Sequence, residues 1–255
     1  MKRRNMIIYI CALTAVFLIG ASSTALPQLR QADDDSLKIH RLHLLMNQGL
    51  IMFLDGIDLK MVANMNMFTA FDAESEKYAS LSMEKDRKAI ELALRGEQND
   101  ILIEQGFGDH PLMKTALELG NTMLDLLALL ERMKIDRMTG ETMEIHHMNL
   151  LLNRGLENVA QGSNMIMVTL LASIPQIDQY LENQGWIMVK EGTTLIADVT
   201  QSEPYKRLQK AEGSSTEDSL FAQTRQCADL SLKIADILSR MNVGGGSQQS
   251  VIGNR

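Results

Sequence analysis

The chain of 255 residues is 45% hydrophobic and carries a net charge of −7. This length allows one large or two small domains with an ample apolar core. The acidic balance argues against a nucleic-acid partner and against adhesion to anionic lipid, because both depend on clustered Lys and Arg.

Residues 1–25 predict an export signal, because the basic start MKRRN is followed by an uncharged apolar stretch. Ser23 and Ala25 supply the small side chains of a cleavage site after Ala25. The alternative is an uncleaved membrane anchor, since the uncharged run 6–26 has 21 residues and about 20 span a bilayer. Both interpretations place the remaining chain outside the cytoplasm, in a periplasmic or extracellular compartment. Cleavage would remove three basic residues and leave a net charge of −10.

Cys227 is the one cysteine outside the predicted signal, since Cys11 lies within it. An intramolecular disulfide in the exported chain is therefore excluded. In the repeat described next, Cys227 aligns with Leu119, which predicts a small, buried hydrophobic side chain. Pairing between two chains is the alternative.

Two similar phrases, HLLMNQGL and NLLLNRGL, lie 106 residues apart and indicate an internal duplication. Aligned at this offset without gaps, residues 39–62 and 145–168 are identical at ten of 24 positions. Towards the end the offset becomes 108, where LLALLERM at 126–133 matches IADILSRM at 234–241. The second copy therefore contains a two-residue insertion.

Each copy predicts three helices, because apolar residues recur at spacings of three and four and the alternation typical of strands is absent. The predicted first helices cover residues 37–67 and 143–172, the second 73–95 and 177–200, and the third 111–133 and 219–241. The prediction is an all-α protein, in which a duplicated three-helix unit forms a bundle of six main helices.

The domain organisation follows from the duplication. We predict a signal or anchor at 1–25, helical repeat 1 at 26–138, helical repeat 2 at 139–243 and a disordered tail at 244–255. The stretches between the second and third helices are punctuated by Gly and Ser, and each includes a short helical turn. Because connecting segments often carry binding groups, these stretches are the predicted contact sites.

Four glycines interrupt the first helices at matched positions, Gly49 and Gly56 in copy one and Gly155 and Gly162 in copy two. Since a glycine inside a helix costs about 0.5–1 kcal/mol relative to alanine, we expect a packing reason. One hypothesis is that the two first helices cross near these glycines about a pseudo-twofold axis, so that the chain imitates a homodimer of a half-size ancestor. The alternative is that each glycine accommodates a bulky neighbour from its own copy.

His40 and His43 lie three residues apart on one face of the first helix, and His146 aligns with His40. Histidines so spaced can hold a transition metal when a third ligand approaches, which makes His40, His43 and His146 a candidate Cu or Zn site. This site needs the N-terminal turns of the two first helices to meet, which an antiparallel crossing would prevent. The alternative is that these side chains hydrogen-bond across the bundle.

The sequence contains 18 Met, including Met-x-Met pairs at 65–67 and 165–167. Thioethers suit Cu(I), so an exported methionine-rich protein suggests copper handling. Most of the methionines, such as Met46 and Met123, instead fall on the apolar stripes of the helices or where the other copy has Leu. They predict a flexible filling of the core.

Catalytic patterns are missing from the sequence. It has no Gly-rich phosphate loop, no Gly-x-Ser-x-Gly elbow and no Cys-x-x-Cys-His haem attachment. Di-iron bundles need Glu-x-x-His on facing helices. Glu144 and His147 have this spacing, but copy one has Lys38 at the position of Glu144. We therefore predict that the protein is not an enzyme.

The phrases IHHMNLLLNRGLENVAQGSNMIMV and HPLMKTALELGNTMLDLLALLERM resemble a family of exported bacterial and archaeal helical proteins of unassigned function. The resemblance covers most of the chain after the signal, and related phrases of that family carry further histidines. At those positions this chain has Gln48, Arg154 and Ala116. If the family binds metal, the resemblance implies that this member has lost part of the site.

The expected function is that of an exported, non-catalytic helical binding or structural protein of the cell envelope. Its partner would be a protein or a small ligand, and it would touch the membrane only through an uncleaved N-terminal segment. The alternative is a periplasmic metal-handling bundle that holds Cu or Zn through His and Met. The sequence leaves the oligomeric state open.

Overall fold

The computed structural model describes residues 34–64, 69–133, 140–171, 175–211 and 219–242. These residues form helices joined by short turns, with no strand among them. The helices are, in chain order, α1 (Asp34–Asn64), α2 (Thr69–Arg95), α3 (Glu97–Glu104), α4 (Pro111–Arg132), α5 (Glu141–Leu171), α6 (Pro175–Gln201), α7 (Glu203–Ala211) and α8 (Leu220–Asn242). The predicted all-α class is confirmed.

The six long helices match the six predicted from the sequence, and α3 and α7 correspond to the short helical turns between the second and third helix of each copy. The predicted signal or anchor at 1–25, the tail at 244–255 and the junction between the repeats at 138–139 lie outside the described residues. Within the described ranges, no helix is both long and apolar enough to cross a membrane.

Local chemistry explains where α4 begins. Gly106 has φ 92°, a left-handed conformation that favours glycine, and it turns the chain after α3. His110 is the N-cap of α4, and its Nδ1 accepts a hydrogen bond from the Leu112 N–H at 3.2 Å. Pro111 follows at the first helical position, where its missing N–H is not needed.

The two first helices, α1 and α5, pack against each other in antiparallel directions. Asn47 donates from Nδ2 to Oδ1 of Asn164 at 3.0 Å, and Asn153 donates from Nδ2 to Oδ1 of Asp58 at 2.6 Å. Asn47 aligns with Asn153 and Asp58 with Asn164 in the repeat, so the two bonds are related by a pseudo-twofold axis. Partly buried polar pairs of this kind fix the register and direction of two helices.

The four matched glycines pack each first helix against the second helix of its own copy. A Cβ at Gly49 would meet Ile90 of α2, and one at Gly155 would meet Ile196 of α6. The predicted crossing of α1 and α5 near these glycines is present, since the two amide bonds centre it between residues 52 and 53 of α1. The glycines themselves, however, face the second helices and not the crossing partner. The physical reason is that α2 and α6 approach α1 and α5 so closely that their side chains and backbone fill the space above each glycine.

One hydrophobic cluster runs through both repeats and includes buried side chains from all six long helices. Leu119 of α4 and its counterpart Cys227 of α8 both belong to it, as the alignment of the repeats predicted. The two copies therefore share a single core.

Candidate functional site

His40 and His43 form a buried pair on the inner face of α1. Their Nδ1 atoms lie 3.4 Å apart and their rings meet edge to face. Burial lowers the pKa of His40 to about 4. Burial, and secondarily the neighbouring His40, holds the pKa of His43 well below its ordinary value. Both rings are therefore neutral at pH 7, the form in which imidazole binds metals.

One ring nitrogen of His43 is not used by the described part of the fold. Its Nε2 is buried and has no hydrogen-bond partner among the described residues. A buried polar atom left without a partner costs about 1–3 kcal/mol. Such an atom in a native fold calls for an explanation, and an ion is one of the ordinary ones.

The third predicted ligand, His146, does not join this pair. The two amide bonds that fix the antiparallel crossing place its midpoint between residues 52 and 53 of α1. His40 and His146 lie on opposite sides of that midpoint, about 12 residues from it in each case, which separates them by roughly 35 Å along the helix axes. His146 is buried at the other end of the α1–α5 pair.

The second repeat replaces His43 by an asparagine with a complete set of donor contacts. Asn149 donates from Nδ2 to Oγ1 of Thr224 at 3.0 Å and approaches Sδ of Met133 at 3.3 Å. Thr224 belongs to α8, and Met133 directly follows α4. This position therefore lies where the N-terminal part of a first helix meets both third helices.

A second polar cluster, which the sequence did not predict, lies between α1 and α5. Arg154 donates to Glu157 at 3.4 Å, and Asp55 and Asp58 lie close to the same carboxyl. Burial, reinforced by Asp55 and Asp58, raises the pKa of Glu157 to about 7. Burial also raises the pKa of Asp58 to about 7, against the hydrogen bond from Asn153. The cluster therefore takes up or releases protons near neutral pH.

The described residues contain no group of three or more His, Cys, Asp or Glu side chains that could hold a metal. Most of the methionines that the structure describes, including Met46, Met61 and Met123, fill the core. The Met-x-Met pair at 65–67 lies outside the described residues. Burial raises the pKa of the Cys227 thiol to about 12, so this cysteine is a poor nucleophile.

The outer face of α1 exposes a row of large apolar side chains. Leu45, Met52 and Leu59 recur every seven residues and Val62 follows three residues later, all of them between 40% and 50% exposed. Two helical turns separate Leu45, Met52 and Leu59, and Val62 lies about one turn further on, so the four lie along one side of the helix. We call these four residues the α1 stripe.

These features define an all-α bundle made from two copies of a three-helix unit. No family model matches the chain, and comparisons with curated proteins and with solved structures find no match either.

Proposed function

We propose that this chain is an exported, non-catalytic binding protein of the cell envelope, which holds a protein partner on the outer face of α1. The observation that carries the proposal is the α1 stripe. A large apolar side chain exposed singly is ordinary, whereas four on one helix face, with Gln48 and Asp55 exposed between them, are typical of a protein-binding surface. The N-terminal export signal predicted from the sequence supports the placement in the envelope.

The second repeat supports a specific use for the α1 stripe. Met52 is replaced there by Asn158, and the counterparts of Leu59 and Val62 are half-buried rather than exposed. The inner faces of α1 and α5 are therefore alike, whereas the outer face of α1 is the more apolar and the more exposed of the two. A row with seven-residue spacing suits an amphipathic helix of the partner, packed along α1.

A photo-crosslinking residue at position 52 should give a discrete adduct with one envelope protein in living cells, because Met52 lies at the centre of the α1 stripe. The matched control is position 92, where Leu92 is exposed on α2. The measurement is the mass of the adduct on a denaturing gel, followed by identification of the partner. Equal adducts at both positions, or none at positions 45, 52 and 59, would rule out the α1 stripe as the binding surface.

The second function we propose is metal handling, and the buried His40–His43 pair favours it. The two neutral imidazoles hold each other in place through a contact of 3.4 Å between their Nδ1 atoms. No described residue pairs with Nε2 of His43, so this nitrogen is free to bind a metal when the ring proton is on Nδ1. Imidazole suits both Cu and Zn, and nearby thioethers would favour Cu(I).

The double variant His40→Ala, His43→Ala should lose stoichiometric metal binding, since it removes both imidazoles. Wild-type protein is titrated with Cu(I), Cu(II) and Zn(II) against chromophoric competitors, and elemental analysis follows native purification. The control is His147→Ala, which removes an exposed histidine of α5. If the wild-type protein binds none of the three ions at micromolar concentration, the metal-handling proposal is wrong.

A further inference from the structure

The contacts of Asn149 identify the surroundings of His43, because the two residues are counterparts in the repeat. Met133 and Thr224 touch Asn149 in the second repeat. At the offset of 108 that relates the third helices, Met133 corresponds to Met241 and Thr224 to Ala116. By the pseudo-twofold relation, the counterparts of these two contacts, Ala116 of α4 and Met241 of α8, are the expected neighbours of His43.

The state of the His43 ring agrees with this placement. Ala116 has no hydroxyl, so the contact that Thr224 provides in the second repeat has no equivalent in the first. The His43 Nε2 has no hydrogen-bond partner among the residues described, neither a hydroxyl nor a sulfur, whereas Asn149 contacts both Thr224 and Met133. Ala116 and Met241 are each 2% exposed, which places both counterparts in the interior where the repeat requires them.

We propose that His43, through Nε2, and Met241, through its thioether sulfur, together bind one Cu(I) ion. This inference rests on the metal-handling function proposed above and names its ligands and its metal. His40 is a positioning residue: its Nδ1 accepts a hydrogen bond from Nδ1–H of His43 and so leaves the Nε2 lone pair free for the metal.

The chemistry of the pair selects Cu(I) over Zn(II). A thioether is a soft, uncharged ligand that suits Cu(I), whereas structural Zn(II) takes four ligands, mainly thiolate, imidazole and carboxylate. The described residues offer no such set. Both proposed ligands are uncharged and buried, so a monovalent ion costs less desolvation in this site than a divalent one.

The test uses the full chain and Cu(I) alone, titrated without oxygen against a chromophoric Cu(I) chelator. Met241→Leu should weaken Cu(I) binding at least tenfold, because leucine keeps the volume and removes the sulfur. Met133→Leu is the matched control, since it makes the same change beside Asn149, and it should leave the affinity unchanged. X-ray absorption of the wild-type complex should show one sulfur and one imidazole neighbour, and the sulfur signal should vanish in Met241→Leu only.

The positioning role of His40 has its own readout. His40→Gln keeps a hydrogen-bond acceptor and should retain more of the Cu(I) affinity than His40→Leu, which keeps none. Equal losses in both variants would overturn the positioning role.

The outcomes separate this inference from the function on which it rests. Cu(I) binding that requires His43 but survives Met241→Leu, with no sulfur neighbour in the wild-type spectrum, would overturn the Met241 ligand and leave metal handling intact. A wild-type chain that binds Cu(II) or Zn(II) but no Cu(I) would overturn this inference alone, and one that binds none of the three at micromolar concentration would overturn both. The wild-type spectrum needs no variant, so a folding defect in Met241→Leu cannot hide the answer.

Discussion

Gly192→Ala should lower the free energy of unfolding by about 1–2 kcal/mol, even though alanine is the better helix former. A Cβ at Gly192 would collide with the carbonyl oxygen of Gly155 and would lie 2.9 Å from the backbone nitrogen of Val159. Backbone atoms of a helix cannot move aside individually, so α5 and α6 would have to separate. Overpacking of this kind costs about 1–3 kcal/mol or more, against a gain of about 1 kcal/mol from helix propensity. Urea unfolding followed by circular dichroism measures the difference.

Gly56→Ala is the matched control, because it makes the same change in the first repeat against a yielding neighbour. The added Cβ would lie 2.8 Å from Cγ of Met83, while the nearest backbone atom, the oxygen of Ala79, is 3.5 Å away. The flexible Met83 side chain can rotate, so we expect a net change within about 1 kcal/mol. Equal losses in the two variants would contradict the direct backbone contact between α5 and α6.

The glycines show how far the sequence alone could lead. Their spacing and their recurrence predicted a packing role, and two helix turns between them placed both on one face. The pattern of one helix cannot tell which neighbour covers that face. In copy two the face is covered by Gly185 and Gly192 of α6. Their counterparts in α2 are Ala79 and Asp86, so aligning the two copies does not mark these glycines as a matched feature.

Of the candidate metal site, only the pair His40 and His43 could be predicted from the sequence. His40 and His43 meet because a spacing of three residues places them on one helix face, whatever the rest of the fold does. The position of His146 depends on the direction in which α5 crosses α1, which no local pattern encodes. Met241 lies 198 residues from His43 in the chain, and only the repeat in combination with the observed Asn149–Met133 contact connects them.

The acidic cluster between α1 and α5 could not be predicted from periodicity. Glu157 occupies the position of Ile51 in the other copy, and its neighbours Asp55 and Arg154 fall on a face that the helical pattern marks as solvated. Burial of the carboxyl arises because the antiparallel crossing brings α1 over it. Its effect on stability can be measured through pH.

The free energy of unfolding should decline by about 1–2 kcal/mol between pH 6.5 and 8 because of Asp58 and Glu157. In the fold the pKa of each is raised to about 7, from ordinary values of 3.8 and 4.5. At a pH between the ordinary and the raised pKa, the folded chain holds protons that the unfolded chain has lost. The free energy of unfolding therefore falls as the pH rises and levels off above about pH 8. The buried His40 and His43 act in the opposite sense up to about pH 7.5, one unit above their ordinary pKa of 6.5, and so offset roughly half of this decline.

Asp58→Asn should remove much of this decline and stabilise the protein at pH 8 by about 2–3 kcal/mol, with little change at pH 4. The asparagine Oδ1 can still accept the bond from Asn153, and the second repeat itself has Asn164 at this position. Removing the Asp58 charge also eases the ionisation of Glu157, which adds to the gain. The measurement is chemical unfolding at pH 4, 6.5 and 8, with Asp100→Asn on the exposed face of α3 as the control. An Asp58→Asn variant that follows the pH profile of the wild type would show that these carboxyls are not held protonated between α1 and α5.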